Sequence, residues 1–438
     1  MLNIHIVRIA PLSLFALFYN LDASAVDLEQ IYRQALIRDT VIIAAEHALS
    51  AVSQKETQGR STLLPNIAFK LGGQRSGHDF LNRAREYKIQ LKQSLFDVSK
   101  LETLHQSQLV VKQGELNYSL AKQDLILRVS KAYFDVLSAQ DNLGATSMLR
   151  AAITEQLKLA HRSFDVGSSM ITDVKEAEVN FNKVLADEIE AQLDLETAGS
   201  RLEEIIGEAP GKLAKVRREV KFHPPEPRNM EKWVSDAKNQ NFNVLLQKIS
   251  VNIAESQVLI NRASKYPTVS LVADRGYYYQ NNSVGPSFLT SQNYNSWSSS
   301  IGVEINIPIF DGYIGSSKVS EAISSVSRAQ AEVETAQRRV VTDVKVNYSK
   351  VSNGFAKIDA YRTAVDSSQS ALSYNKKGYE VGLKANIDIL RSQQQHFGAQ
   401  RDLSRATYDL ILSGLRLKAV AGILEDRDLL DINGLLEQ

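Results

Sequence analysis

The chain has 438 residues, 43% apolar and 23% charged, and its 51 basic and 50 acidic side chains leave a formal net charge of +1. That length allows two or three ordinary domains, and the composition excludes both a disordered chain and a bundle of membrane helices. The charge balance argues against a general nucleic-acid footprint, and the lack of cysteine rules out disulfides, thiolate metal sites, cysteine nucleophiles and a cysteine-borne lipid anchor.

Residues 1–25 read as a signal peptide. Arg8 supplies a thin positive start, Ile9 to Leu21 is mostly apolar, and Ala23-Ser24-Ala25 is an A-x-A cleavage site. A buried N-terminal helix is the alternative, and Pro11 and Asn20 disfavour it. Beyond this segment there is no run of 18 apolar residues, so no spanning helix is expected.

A first repeat is predicted over residues 26–225. An opening helix stops at Leu64-Pro65, and strands follow at about 66–75 and 86–96. Ile67, Phe69 and Leu71 alternate with Asn66, Ala68 and Lys70, and Tyr87, Ile89 and Leu91 with Lys88, Gln90 and Lys92, the period-two pattern of a two-faced sheet. No proline occurs from Asn66 to Ala209. Proline costs about 3 kcal/mol inside a helix, so its exclusion marks long helices, here about 98–164 and 171–207. The first would reach ~100 Å at 1.5 Å per residue, too long for a compact domain, and must lie in a coiled coil or long bundle. The stripe Val129, Ala132, Val136, Ala139 and Leu143 fits that packing.

A linker around His223-Pro224-Pro225-Glu226-Pro227 leads to a second repeat, 226–438. Its helix is expected at about 229–264, its strands at about 268–279 and 298–309, and its later helices at about 312–379 and 386–424. Val269 and Leu271, then Ile301, Val303, Ile305, Ile307 and Ile309, form the apolar face of these strands. Tyr277-Tyr278-Tyr279 and Trp297 stand where an aromatic belt would flank a long polar hairpin loop, Asn281 to Ser296. Leu403, Leu410, Leu417 and Leu424 recur every seven residues with Ala406, Ser413 and Val420 between them, a supercoiled seam.

The two repeats are copies. Pro65 pairs with Pro267, Phe96-Asp97 with Phe310-Asp311, Val166-Gly167 with Val381-Gly382, and Asp173 with Asp388. Each copy runs helix, strand, strand, very long helix, tight turn, shorter helix. Four strands cannot close a membrane barrel, since the smallest have eight, and an open edge in lipid leaves backbone groups unpaired. Strands that cross a membrane here must therefore be pooled, eight from two chains or twelve from three. On alternation alone, a half-buried soluble sheet is an equal alternative.

The ordered set Leu64-Pro65-Asn66-Ile67, Ser94-Leu95-Phe96-Asp97, Tyr266-Pro267-Thr268-Val269, Ile307-Pro308-Ile309-Phe310-Asp311, the two Val-Gly turns and Asp428-Leu429-Leu430 resembles the TolC family of outer-membrane efflux and secretion channels over nearly the whole mature chain. The resemblance implies a mainly α protein with membrane β structure: a homotrimer whose twelve-stranded outer-membrane barrel continues into a long periplasmic α-helical barrel. It implies partners too, a periplasmic adaptor (membrane fusion protein) and an inner-membrane transporter of the RND, ABC or MFS class. Cargo would be drugs, toxic compounds or type I secreted proteins, and no reaction or cofactor is expected.

By position, the resemblance assigns an entrance latch to Thr172, Asp173, Tyr379 and Lys384, the last where arginine is frequent. It assigns adaptor-docking tip turns to Val166, Gly167, Val381 and Gly382. It assigns a tunnel constriction to Asp388, with Arg391 where a second acidic ring would stand, which puts cation selectivity in question. Local structure offers a rival account of the same residues. Gly167 and Gly382 suit left-handed helix C-caps, Asp173 and Asp388 suit first helical turns, and Arg391 suits an i,i+3 pair with Asp388. Three other features carry less: scattered histidines without metal-ligand spacing, Gly72-Gly73 through Gly77 without a phosphate-loop pattern, and the basic run Lys215, Arg217, Arg218 and Lys221, read as a solvated linker. The competing readings are a periplasmic coiled-coil adaptor, which has one helical hairpin where this chain repeats the pair, and a scaffold, which leaves the strands unexplained.

Overall fold

The computed structural model describes residues 25–76, 82–217, 224–283 and 291–437, so the segment expected to be a signal peptide lies, short of its last residue, outside the described residues. The first half contains α1 (Leu28–Arg38), α2 (Thr40–Ser61), β1 (Asn66–Ser76), β2 (Asn82–Phe96), α3 (Val98–Asp165) and α4 (Ile171–Ile206). The second contains α5 (Met230–Gln240), α6 (Phe242–Ala263), β3 (Thr268–Ser283), β4 (Ser291–Asn306), α7 (Ile314–Glu380), α8 (Asn386–Ala421) and α9 (Arg427–Asn433). No helix among the described residues is long and apolar enough to cross a membrane.

Helices α3 and α7 have 68 and 67 residues, so each extends for about 100 Å. Asp97 starts α3 by accepting the Ser99 and Lys100 amides at 3.0 and 3.3 Å. Asp311 accepts the Gly315 amide at 2.7 Å at the matching junction. The seam expected from the heptads is buried at Ala406, Leu410, Ser413 and Leu417. Leu424 is buried beyond the end of α8, which stops at Ala421 rather than near 424.

The opening helix of each repeat is not continuous. Asp39 and Asn241, 202 residues apart, leave helical geometry and cap the next helix, Asp39 accepting the Ile42 amide at 2.9 Å and Asn241 the Asn243 amide at 2.9 Å. The side chain satisfies the amides orphaned by the break, so one helix becomes two.

The sheet has order β1-β2-β3-β4, with every pair antiparallel. Its strands depart from the sequence expectation in three ways. β2 and β4 begin earlier, at Asn82 and Ser291, so much of the expected Asn281–Ser296 loop is strand; only 284–290 lie outside the described residues there. A ladder is held by backbone bonds and tolerates polar side chains, which composition misreads as loop. Ile307 and Ile309 are not strand residues, because Pro308 has no N–H to continue the ladder and β4 stops at Asn306. The tyrosine triplet is split: Tyr277 packs on Trp297 with ring centroids 5.6 Å apart, while Tyr278 points to the opposite face and donates to Gln280 at 2.9 Å.

One sheet face carries Ile67, Phe69, Leu71, Ile89, Ile301, Val303 and Ile305, all at least half exposed in the single chain. The other carries Lys88 paired with Glu86, Lys92 paired with Glu304, and Ser300 donating to Asp274.

The largest core lies midway along the helices, where Leu28, Ile31, Tyr133, Phe134, Leu202 and Leu429 are buried together. Two short bridges close it, Val26 with Leu213 and Val216 with Leu436. Tyr133 donates to the Ala214 carbonyl at 2.7 Å, and burial raises its pKa. Lys215 and Arg217 are exposed, in keeping with the solvated-linker reading, but the segment is tied down: Lys215 lies 3.6 Å from Asp141 and Arg217 donates to the Leu436 carbonyl at 2.9 Å. Arg218 and Lys221 fall outside the described residues.

Candidate functional site

The tip of the molecule is built twice. After α3, the Gly167 and Ser168 amides bond back to Phe164 and Ser163 carbonyls at 2.9 and 2.8 Å; after α7, the Gly382 and Leu383 amides reach Tyr379 and Gly378 at 3.0 and 2.8 Å. These are paired C-terminal bonds that need a left-handed residue, supplied by Gly167 at φ 75 and Gly382 at φ 72. Each following helix then takes a carboxylate in its first turn. Asp173 accepts the Met170 amide and Asp388 the Ala385 amide, both at 3.2 Å. Sequence and capping physics alone account for this much.

The exposed side chains of the turns are not accounted for by capping. Val166, Met170, Val381 and Leu383 are 78, 73, 69 and 82% exposed, apolar side chains bared at the turns of the two hairpins. Met170 and Leu383 escaped the sequence reading, although apolar residues within tight turns were the available signal. Beside them, Asp173 and Tyr379 line one cavity of about 410 Å³ between the hairpins, together with Leu159, Ser163, Glu176 and Leu390. Above it, Ile153, Val184 and Leu390 lock α3, α4 and α8 together.

Of the four latch candidates, the fold therefore brings Asp173 and Tyr379 to a common wall. Thr172 is exposed beside them, and Lys384 is exposed with its stem over Gly378, where a Cβ would come within 2.8 Å of Lys384 Cγ. Within one chain none of these four side chains bonds another. Asp388 is half-buried on α8, and Arg391, one turn later, is exposed and makes no ion pair with it. The local i,i+3 pair is thus not formed, and the arginine charge is free of that partner. Among the described residues no cluster of side chains suits a metal ion.

Two helical hairpins about 100 Å long carry a four-stranded, two-faced sheet with unpaired edges, the build of a membrane-duct protein. The family described as outer membrane efflux protein matches residues 31–208 and 233–423. Outer membrane protein TolC of Vibrio cholerae serotype O1 is 32% identical over 432 residues, covering 97% of this chain and 98% of that one. Alkaline protease secretion protein AprF of Pseudomonas aeruginosa is 27% identical, covering 95% and 88%. Among solved structures, the Campylobacter jejuni CmeC outer membrane channel superposes with a TM-score of 0.78 at 16% identity, covering 100% of this chain and 98% of that one. The chain belongs to the outer membrane efflux protein family. It is an outer-membrane channel and not an enzyme, and the adaptor and scaffold alternatives are set aside. Channels of this family work with inner-membrane transporter and adaptor complexes.

Proposed function

We propose that three copies pool their sheets into a twelve-stranded barrel that carries small toxic compounds or type I secreted proteins out of the cell. The supporting observation is the sheet itself: four strands, both edges open, one face apolar and the other lined by ion pairs. In lipid, those edges are satisfied only if β1 of one copy pairs with β4 of the next. The apolar face then meets lipid and the charged face lines water.

The helices continue the duct as a periplasmic tube. At its tip, Thr172, Asp173, Tyr379 and Lys384 act as a latch between neighbouring hairpins: Asp173 and Tyr379 line the cavity, Thr172 and Lys384 are exposed beside it, and none of the four bonds another within the chain. Asp388 and Arg391 face the constriction. Val166, Gly167, Val381 and Gly382 form the adaptor-docking turns, with Met170 and Leu383 adding apolar area. The partners are a periplasmic adaptor and an inner-membrane RND, ABC or MFS transporter, which supplies the energy.

The test is cysteine cross-linking, for which the chain has no native cysteine to interfere. Single cysteines placed along β1 are combined with cysteines along β4 in the outer membrane. A ladder ending at three chains is expected. A ladder ending at two, or exclusively intrachain products, sinks the trimer.

A further inference from the structure

On the sheet, cations are sorted by type between the two faces. Lys70, Lys88 and Lys92 share the face that also holds Glu86, Asp274 and Glu304, whereas Arg75, Arg83, Arg85 and Arg275 all lie on the apolar face. No strand, including the edge strand β4, places an aspartate or glutamate on that apolar face. All four arginines are exposed, and none has an ion pair among the described residues.

Their heights follow from the register. Leu71, Tyr87, Tyr277 and Trp297 form one row across all four strands, where an interfacial aromatic belt belongs. Rows along one face are about 7 Å apart. Arg85 stands one row beyond the aromatic row and Arg75 and Arg83 two rows beyond, on the side away from α3 and α7, and Arg275 lies one row below, able to snorkel upward. Arg75 directly opposes Arg83, a like-charge pairing that destabilises a sheet unless an anion sits between the guanidinium groups. Gly73 opposes Arg85, and a Cβ there would meet nothing within 4 Å, so an open notch lies among three arginines.

We infer that this notch binds the phosphorylated sugar headgroup of an outer-leaflet glycolipid. Resting on the barrel reading, this places the arginines at headgroup depth in the leaflet distal to the helices. The choice of arginine over lysine fits the ligand, because the guanidinium fork matches phosphate oxygens in pairs. The headgroup supplies the counter-charge that no described residue of this face provides.

The test uses the full-length channel purified in detergent, first shown to conduct in planar bilayers. Binding of bisphosphorylated lipid A is compared with that of its dephosphorylated form and of phosphatidylglycerol. The variants are Arg75→Gln/Arg83→Gln/Arg85→Gln and a charge-matched control, Lys70→Gln/Lys88→Gln/Lys92→Gln. At least about a tenfold rise in Kd is expected for the arginine variant and little change for the lysine variant. Equal binding by the arginine variant, by dephosphorylated lipid A or by phosphatidylglycerol overturns the inference. Failure of the wild-type chain to conduct would instead strike at the barrel, so the two failures are told apart.

Discussion

Asp39 does two jobs in one buried carboxylate. It caps α2 and takes a two-pronged contact from Arg128, Nη1 and Nη2 lying 2.8 and 3.1 Å from its oxygens. Burial pushes its pKa up, but the Arg128 and backbone hydrogen bonds outweigh this, and the value falls below 3.8. A depressed folded pKa adds stability that is complete above the unfolded value and disappears as pH falls through the folded one. Asp39→Asn keeps the cap and loses the charge, so it should cost about 1–2 kcal/mol at neutral pH, with the difference in melting temperature from wild type closing as acid protonates the Asp39 carboxylate of the folded wild type. Glycine substitutions at the helix ends should differ sharply. A Cβ at Gly422, with φ 78, would sit 2.3 Å from the Gln240 carbonyl oxygen, whereas nothing lies within 4 Å at Gly382. Thermal unfolding of Gly422→Ala should reveal a loss of about 3 kcal/mol or more, against about 1 kcal/mol for Gly382→Ala. At the cavity wall, Asp173→Ala or Tyr379→Phe should loosen the closed tip and raise single-channel conductance. Unchanged conductance in both would count against the latch.

At the level of elements, α4 buries Ala177, Val184, Ala191 and Ala198, one residue per heptad, against its neighbours. The small seam residues let α3 and α4 approach closely. Ala191 is 1% exposed, so Ala191→Leu should lower the melting temperature through overpacking worth about 1–3 kcal/mol. The long helices and their seams were legible because proline exclusion and sevenfold spacing are properties of the chain itself. The breaks at Asp39 and Asn241 were not, since a single capping side chain inside a helical pattern is a weak local signal. The tip turns were legible as Val-Gly, but the meeting of Asp173 with Tyr379 depends on how two hairpins pack. Of the four arginines on the apolar face, Arg83 and Arg85 precede residue 86, where β2 is expected from the sequence, while Arg75 and Arg275 sit within expected strands and gain meaning only from the register that aligns them.

For the assembled duct, the charged face of each sheet, which the barrel proposal turns toward the lumen, balances three lysines against three carboxylates. Lys92 and Glu304 lie 3.5 Å apart and are each about half exposed, so their pairing adds little to stability but much to the field inside a narrow lumen. Glu304→Gln would leave one unbalanced positive charge per copy. Reversal potentials across a salt gradient should shift toward anion preference, while assembly and outer-membrane yield stay unchanged. An unaltered reversal potential would mean that this sheet face does not line the conducting path.

The central core joins residues from opposite ends of the polypeptide: the Glu29 amide donates to the Asn433 side chain at 3.3 Å, and Leu28 and Leu429 are both fully buried. A ribosome therefore adds the 404 positions that separate Glu29 from Asn433 before the first helix meets its final neighbour. Until then the nascent chain has no way to complete its middle, and premature collapse in the cytosol is restrained by the order of synthesis itself. For a polypeptide that must be threaded through one membrane before it settles in another, late closure keeps the chain threadable.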